Sequence, residues 1–202
     1  MYGLTGIYDG EPAHWSYMLA VQKEEERKGL AKLLKLHQRV LLLPMGVRTA
    51  FWTYDPLVAR NANLNINGLG ANIAEYVKDM YMDAGSDLHR RLGMDRFIVA
   101  WHLADETVAQ IVSGKNLPRH DRYIGSPVVN TAIEKDGSVF LLDSDLPYHP
   151  MLCVEIPLNI ESIQSSSFDL GSRWRTNTRR AFLRYMERGH TVDAFYIEQH
   201  SC

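Results

Sequence analysis

The sequence predicts a fold of the α/β (α+β) class, because stretches with the spacing of a strand lead directly into stretches with the spacing of a helix. Tyr17, Leu19 and Val21 alternate with Ser16, Met18 and Ala20, and this two-residue period is typical of a strand. From Gly29 onward, leucines recur at helical spacing. A second succession of strand and helix follows over residues 47–70, so we expect a sheet flanked by helices.

Composition and charge narrow the classes of protein to consider. The net charge of -2 argues against a general nucleic-acid binder. No apolar run is long enough to span a membrane, and the first residues lack the basic and apolar regions of a signal peptide. Cys153 and Cys202 do not suggest a disulfide framework, and the scattered histidines predict no metal site. We therefore expect a cytoplasmic protein with no nucleic-acid or membrane partner.

The chain is predicted to open with a hairpin of residues 2–8 and 14–21. Its turn is Asp9-Gly10, a strong hairpin signal. The helix that begins at Gly29 is expected to end at a Leu-Pro-Met-Gly sequence, because proline and glycine are stop signals.

The second strand and helix are predicted from their composition and from a capping sequence. Residues 47–54 are rich in aromatic and β-branched residues, which is typical of a buried strand. Asp55 is a good N-cap and Pro56 is favoured at the first helical position, so a helix is expected to begin there.

This second helix contains four asparagines within residues 61–67, although asparagine is a poor helix former. Asn61 and Asn65 are predicted to share one face. The pattern indicates either a functional site or a short, irregular surface helix, and the sequence leaves both interpretations open.

The remaining elements are predicted as strands, apart from one polar loop over residues 82–94 and one helix over residues 168–188. Cys153 is expected to lie in the core rather than act as a nucleophile. The arginines of the helix form either a solvated face or an anion site. The predicted strands are residues 71–81 (extended), 96–103, 128–134, 139–142, 151–156 and 191–198.

The turn into the first helix is suited to binding a phosphate. The first backbone N–H groups of a helix have no partner inside it, and the helix dipole adds positive potential there. Gly29 has no Cβ, so a ligand can approach the backbone closely, and Arg27 and Lys28 add charge. The alternative is an ordinary turn with one glycine, because short glycine motifs often bind nothing.

These residues resemble the acyl-CoA pyrophosphate loop of the GNAT acyltransferase superfamily, which reads Arg/Gln-x-x-Gly-x-Gly/Ala at a helix start. Gly29 and Ala31 match this pattern, and Glu26 departs from it.

A longer segment resembles one branch of the same superfamily, which carries Trp-Thr-Phe-Asp-Pro-Leu and then Asn-Ala-x-x-Asn-Leu-x-x-Leu-Gly-Ala. Asp95, Arg96 and Trp101 match a further segment of that branch. Ile66 stands where many GNAT enzymes hold a tyrosine that protonates the departing thiolate. The residues matching the longer segment are Trp52, Thr53, Asp55, Pro56, Leu57, Asn61, Ala62, Asn65, Leu69, Gly70 and Ala71.

The resemblance implies a mixed, mostly antiparallel sheet that lacks the usual N-terminal strand–helix–helix–strand. Residues 1–103 would form the acyl-CoA-binding core, and residues 104–202 a C-terminal extension that completes the sheet within one compact domain. The sheet edge left open by the missing elements invites pairing, and a homodimer is one way to cover it.

The resemblance also implies an acyl-CoA-dependent N-acyltransferase, or acetyltransferase, that moves an acyl group to a small-molecule amine by direct attack. Acetyl-CoA or another acyl-CoA would be the cofactor. The candidate general bases are Asp55, which is equally explained as a helix cap, Tyr17 and His14. The implied cofactor-binding residues are Leu19, Ala20, Val21, Arg27, Lys28, Gly29, Leu30 and Ala31, and the implied substrate contacts are Asn61, Asn65 and Arg96.

Two alternatives stay open at this point. The first is a degenerate, non-catalytic GNAT fold that binds CoA or a partner. The second is an N-succinyltransferase-type enzyme acting on amino acids, because Arg96 and the arginine-rich helix suit carboxylate-bearing substrates.

Overall fold

A five-stranded, mostly antiparallel sheet organises the chain, and helices flank it, so the predicted α/β (α+β) class is confirmed. The structure is a computed structural model that describes residues 1–25, 28–81, 93–115, 123, 125–134, 138–142 and 146–197. The strands are β1 Tyr2–Tyr8, β2 Glu11–Met18, β3 Thr49–Tyr54, β4 Asn72–Val77, β5 Arg96–His102, β6 Thr131–Ile133 and β7 Val139–Leu141. The helices are α1 Leu30–Leu42, α2 Ala59–Ala62 with a π-helical continuation Asn63–Gly68, α3 Glu106–Val112, α4 Ile160–Ser166 and α5 Phe168–Met186.

The strands of the large sheet lie in the order β1-β2-β3-β5-β4, while β6 and β7 form a separate two-stranded sheet. Within the large sheet only β2 and β3 run parallel. Their pairing extends from Ala13–Thr49 to Trp15–Phe51 and then stops, although both strands continue. The two strands therefore no longer pair with each other at their C-terminal ends.

The hydrophobic core lies between one face of this sheet and the helices. Alternate residues of β3 and β5 point to that face, as the two-residue period of a strand requires. Trp52 meets Trp101 edge-on with ring centroids 5.9 Å apart. The ring of Phe182 in α5 lies against that of Phe97 in β5, with centroids 4.9 Å apart. The C-terminal helix therefore packs on the same core as the large sheet.

The opposite face and the free edge of the sheet carry exposed apolar side chains. β1 is an edge strand, and Leu4 and Ile7 are 61% and 73% exposed. Tyr17 of β2 is also exposed and meets Tyr2 edge-on. The homodimer expected to cover this edge stays a prediction, as does the division at residue 103.

Two predicted boundaries at the centre of the sheet are wrong. β2 ends at Met18, so residues 19–21 follow the strand instead of completing it. The second helix begins at Ala59 and not at Pro56. The reason is that Asp55 caps only a turn, in which its Oδ1 accepts the N–H of Leu57 at 2.9 Å.

Two predicted strands in the C-terminal part are also wrong. Residues 191–197 contain no strand, and residue 198 lies outside the described part of the chain. Within residues 151–156 the only strand-like contact is an isolated bridge between Cys153 and Val128. The short helices α3 and α4 were not predicted, and most of the predicted loop at 82–94 lies outside the described residues.

Among the described helices, none combines the length and the apolar character that crossing a bilayer requires.

Candidate functional site

A cleft of about 610 Å3 opens at the start of α1. One wall comes from the chain after β2 and from the turn into α1, and the other comes from α2 and from residues 158–161. Segments far apart in sequence thus meet where the parallel strands β2 and β3 lead into their helices. The predicted site residues in its wall are Leu19, Val21, Gly29, Leu30, Ala31 and Asn61.

The N-terminus of α1 is free to bind a ligand at this cleft. Gly29 is the N-cap residue, and among the described residues no side chain hydrogen-bonds to the first N–H groups of the helix. Its φ of 76° is in the left-handed region that favours glycine, and a Cβ built there meets no atom within 4 Å. The position is therefore open towards solvent, and its backbone needs glycine for conformation rather than for space.

The wall of the cleft carries charges of both signs, from Lys32 and Arg60 and from the acids Glu25 and Glu161, and Arg60 pairs with Glu161 at 2.6 Å. Lys32 lines the cleft in the first turn of α1. Lys28 forms an exposed ion pair with Glu25 at 2.9 Å, which is the kind of surface contact that contributes little stability. Lys28 is therefore able to turn towards an anion. Arg27 and Glu26 lie outside the described residues.

A second, larger cavity of about 770 Å3 adjoins the cleft, and Ala59 and Leu158 line both. It lies between the end of β3, α2, α5 and the C-terminal segment 188–197. Most of its wall is apolar, and Ile66 and Phe97 are buried contributors from α2 and β5. No pattern in the sequence indicated this cavity.

Tyr54 brings a single buried hydroxyl group to the wall of this cavity. The residue is 5% exposed, and its Oη has no hydrogen-bond partner among the described residues. Burial, and secondly the charge of Asp55, raise the pKa of Tyr54 above its usual value. The phenol therefore stays protonated and is available as a hydrogen-bond donor. In the sequence, Tyr54 is one of several aromatic residues in a predicted strand, so nothing there indicated a buried hydroxyl without a partner.

The predicted bases His14 and Tyr17 do not line the cleft or the cavity. His14 is buried under α1, with Nδ1 3.0 Å from Thr5 Oγ1 and Nε2 2.9 Å from Gln38 Nε2. Burial, and then the charge of Lys35, lower the pKa of His14. Tyr17 points to the exposed face of the sheet. Their catalytic roles stay predictions that the geometry does not favour.

The third predicted base, Asp55, is held by arginine. Arg175 of α5 is 4% exposed and donates to both carboxylate oxygens of Asp55, at 2.8 and 2.6 Å. Arg96 Nη1 lies 3.6 Å from the same carboxylate and donates to the carbonyl oxygen of Asp95. The ion pair anchors α5 to the end of β3, so Asp55 and Arg96 already have partners that a base or a substrate contact would have to give up.

The asparagines of the second helix divide into two groups. Asn61 is half-buried and lines the cleft, as a substrate or cofactor contact must. Asn65 is 3% exposed, and its Oδ1 accepts the indole N–H of Trp52 at 3.1 Å, so it fixes the core. Asn67 donates to the carbonyl oxygen of Phe195 at 2.8 Å and holds the C-terminal segment. These contacts accompany the π-helical turn, a feature that is frequent at functional sites.

Cys153 lines the cavity and is half-buried, with Sγ 2.7 Å from Tyr196 Oη. Within the described residues there is no group of three or more His, Cys, Asp or Glu side chains that could hold a metal ion.

No family model matches this chain, and no curated protein matches it at a significant level.

Proposed function

We propose that this protein is an acyl-CoA-dependent N-acyltransferase that transfers an acyl group to a small-molecule amine. Acetyl-CoA or another acyl-CoA would bind in the cleft at the start of α1. The observation that carries the proposal is that the uncapped helix start at Gly29 opens into a cleft of about 610 Å3. An ordinary strand-to-helix turn needs no such space.

The cleft suits the pyrophosphate of CoA for two physical reasons. The first N–H groups of α1 and the positive end of its dipole favour an anion there. Lys32 adds positive charge in the wall of the cleft, and Lys28 lies next to Gly29 in an exposed ion pair with Glu25. β2 and β3 do not pair beyond Trp15 and Phe51, and we expect the thioester to lie where these strands separate.

The proposed reaction is a direct transfer. The amine nitrogen attacks the carbonyl carbon of the thioester, a C–N bond forms and the C–S bond breaks. The amine loses one proton and the departing thiolate takes up one, so an amide and free CoA result. An alkyl amine is mostly protonated at neutral pH, so a base or a water molecule has to remove that proton.

Substituting Gly29 with glutamate should weaken acetyl-CoA binding by at least about tenfold, because the new carboxylate enters the cleft beside the phosphates. Calorimetric titration of acetyl-CoA and free CoA into both proteins measures this. Gly46→Glu is the matched control. Gly46 follows the other end of the same helix with a φ of 78°, and a Cβ there also meets no atom within 4 Å. If the wild-type protein binds neither acetyl-CoA nor free CoA at millimolar concentration, the proposal is wrong.

A second candidate function is binding of CoA without turnover. The specific observation in its favour is that none of the three predicted bases, Asp55, His14 and Tyr17, lines the cleft or the cavity. The two functions separate when wild-type protein that binds the acyl-CoA is incubated with a panel of amines. Release of free thiol that depends on the amine supports the enzyme, and binding without release supports the non-catalytic protein.

A further inference from the structure

We propose that the large cavity receives the acyl chain of the acyl-CoA, so that the donor carries a medium-chain group such as octanoyl rather than acetyl. This inference rests on the proposed function, because it extends the ligand of the cleft into the adjoining cavity. It names the substrate class that the cleft alone leaves open.

The size of the cavity favours an acyl chain longer than acetyl. Its volume of about 770 Å3 falls in the range of about 300–1,000 Å3 that is typical of pockets for drug-sized ligands. A methyl group occupies a small fraction of that space. An acetyl donor would therefore leave most of the cavity to water in contact with apolar walls, which is unfavourable.

Much of the cavity wall is apolar. Ile66 and Phe97 are buried, and Leu152, Val154 and Phe182 add apolar surface from the C-terminal half of the chain. Glu155, Arg188, His190 and Asp193 also belong to the wall. Burying one methylene group against the apolar part of this wall raises affinity by about fourfold. A linear chain of several methylenes gains this several times.

The hydroxyl of Tyr54 lies in the apolar part of the wall, where the Tyr54 ring packs against that of Phe97 with centroids 5.6 Å apart. The Tyr54 hydroxyl lacks a partner among the described residues and stays protonated, so it is able to donate a hydrogen bond to a carbonyl oxygen. Its raised pKa makes it a weaker acid towards a departing thiolate than an ordinary tyrosine. This part of the cavity thus matches an apolar chain that ends in one carbonyl group.

The two spaces are neighbours, because Ala59 and Leu158 belong to both walls. An elongated ligand that passes between these two side chains would occupy the cleft and the cavity together. The helix start and Lys32 offer positive potential at one end, and the cavity offers an apolar surface at the other. A medium-chain acyl-CoA has the same two ends, one charged and one apolar.

The test is calorimetric titration of CoA, acetyl-CoA and octanoyl-CoA into the wild-type chain and three variants. We expect octanoyl-CoA to bind at least about tenfold more tightly than acetyl-CoA. Ala62→Phe fills the cavity from α2 and should remove this preference while it leaves acetyl-CoA affinity unchanged. Ala104→Phe, at an exposed position outside both walls, is the control and should keep the preference.

Tyr54→Phe keeps the ring and removes only the hydroxyl, so it tests the cavity even if Ala62→Phe fails to fold. It should lower octanoyl-CoA affinity by about fivefold, because one hydrogen bond is lost. In the free protein it should leave the thermal unfolding temperature unchanged or raised, because the hydroxyl has no partner to lose. An unchanged octanoyl-CoA affinity would contradict the assigned hydrogen bond.

The outcomes separate the inference from the proposed function. Equal affinities for acetyl-CoA and octanoyl-CoA overturn the inference and leave the acyltransferase proposal standing. Failure of all three CoA compounds to bind overturns both. Binding of the neutral fluorescent probe N-phenyl-1-naphthylamine that survives saturation with octanoyl-CoA also overturns the inference, because the cavity then serves another apolar ligand, such as the acceptor.

Discussion

Replacing Arg179 with methionine should lower the free energy of unfolding by about 3–5 kcal/mol, because it leaves a buried carboxylate without its counter-charge. That carboxylate belongs to Asp95, which is 0% exposed. Arg179 of α5 donates to both of its oxygens, with Nε 2.8 Å from Oδ2 and Nη2 2.5 Å from Oδ1. The guanidinium also reaches Asp79 at 2.7 Å.

The other contacts of Asp95 explain why the loss is large. Its carboxylate also accepts the hydroxyl of Tyr76 and the backbone N–H of Asp79. Burial alone would raise the pKa of Asp95, but the hydrogen bonds from Arg179, Tyr76 and Asp79 together lower it. The group is therefore ionised at neutral pH. Without Arg179 it has either to stay charged in the core or to take up a proton, and both cost stability.

Urea unfolding at pH 7 measures the difference, with Arg173→Met on the exposed side of the same helix as the control. That control should change stability by no more than about 0.5 kcal/mol. Adding Asp95→Asn to Arg179→Met should recover part of the loss, because the charge is then absent. A loss of less than about 1 kcal/mol for Arg179→Met would mean that water reaches Asp95 and replaces the arginine.

Local sequence patterns predicted most elements of the sheet and two of its helices. The helices α1 and α5 follow from apolar spacing, and β3 and β5 follow from runs of aromatic and β-branched residues. The face that α1 buries was not predictable in this way. Lys35 and Gln38 are buried while Leu33 and Val40 are exposed, because His14 and Ser16 of β2 offer polar partners beneath the helix.

The C-terminal segment shows the limit of pattern reasoning most clearly. Residues 191–197 combine aromatic and β-branched residues, as a strand does, yet they line the cavity. Residues with high strand propensity have side chains that suit a half-buried surface. The wall of a cavity is such a surface, just as the face of a sheet is. Contacts such as Asn67 to Phe195 depend on the tertiary fold and leave no signal in the local sequence.

The candidate site was predictable only where it is built from local sequence. One wall of the cleft at Gly29 combines the start of α1 with the chain that follows β2, and spacing predicted that helix start. The other wall comes from α2 and from residues 158–161, which are distant in the sequence. The adjoining cavity joins β3 to α5 and to the C-terminal segment, so its lining residues are spread through the chain. Tyr54 and Ile66 fit the sequence pattern of ordinary core residues. Only the cavity that both of them line distinguishes them from other core residues.

Replacing Lys35 with methionine should stabilise the protein at pH 6 and remove a rise in stability between about pH 7 and pH 10. Lys35 is 4% exposed, and its Nζ contacts Ser16 Oγ at 2.8 Å and Gln38 Oε1 at 3.3 Å. The ammonium also lies 3.6 Å from the centroid of the Trp52 ring. Among the described residues no carboxylate lies within ion-pair distance of it, so burial lowers the pKa of Lys35 to about 7.

The sign of the effect follows from proton binding. Between pH 7 and about pH 10.4 the unfolded chain holds a proton on this lysine and the folded chain does not. Raising the pH through this window therefore removes a penalty on folding, and stability increases. Below pH 7 the whole penalty is present, and it is on the order of 4 kcal/mol. The hydrogen bonds and the Trp52 ring offset part of it.

Urea unfolding at intervals from pH 6 to pH 10 measures this effect as the difference between the wild-type chain and Lys35→Met. Taking the difference removes the other titrating groups, except for His14, whose own pKa Lys35 lowers. Lys32→Met, one turn earlier on the half-buried side of α1, is the control for the removal of a lysine from the same helix. Parallel curves for wild type and Lys35→Met would mean that Lys35 remains charged in the folded protein, with Trp52, Ser16 and Gln38 replacing the missing carboxylate.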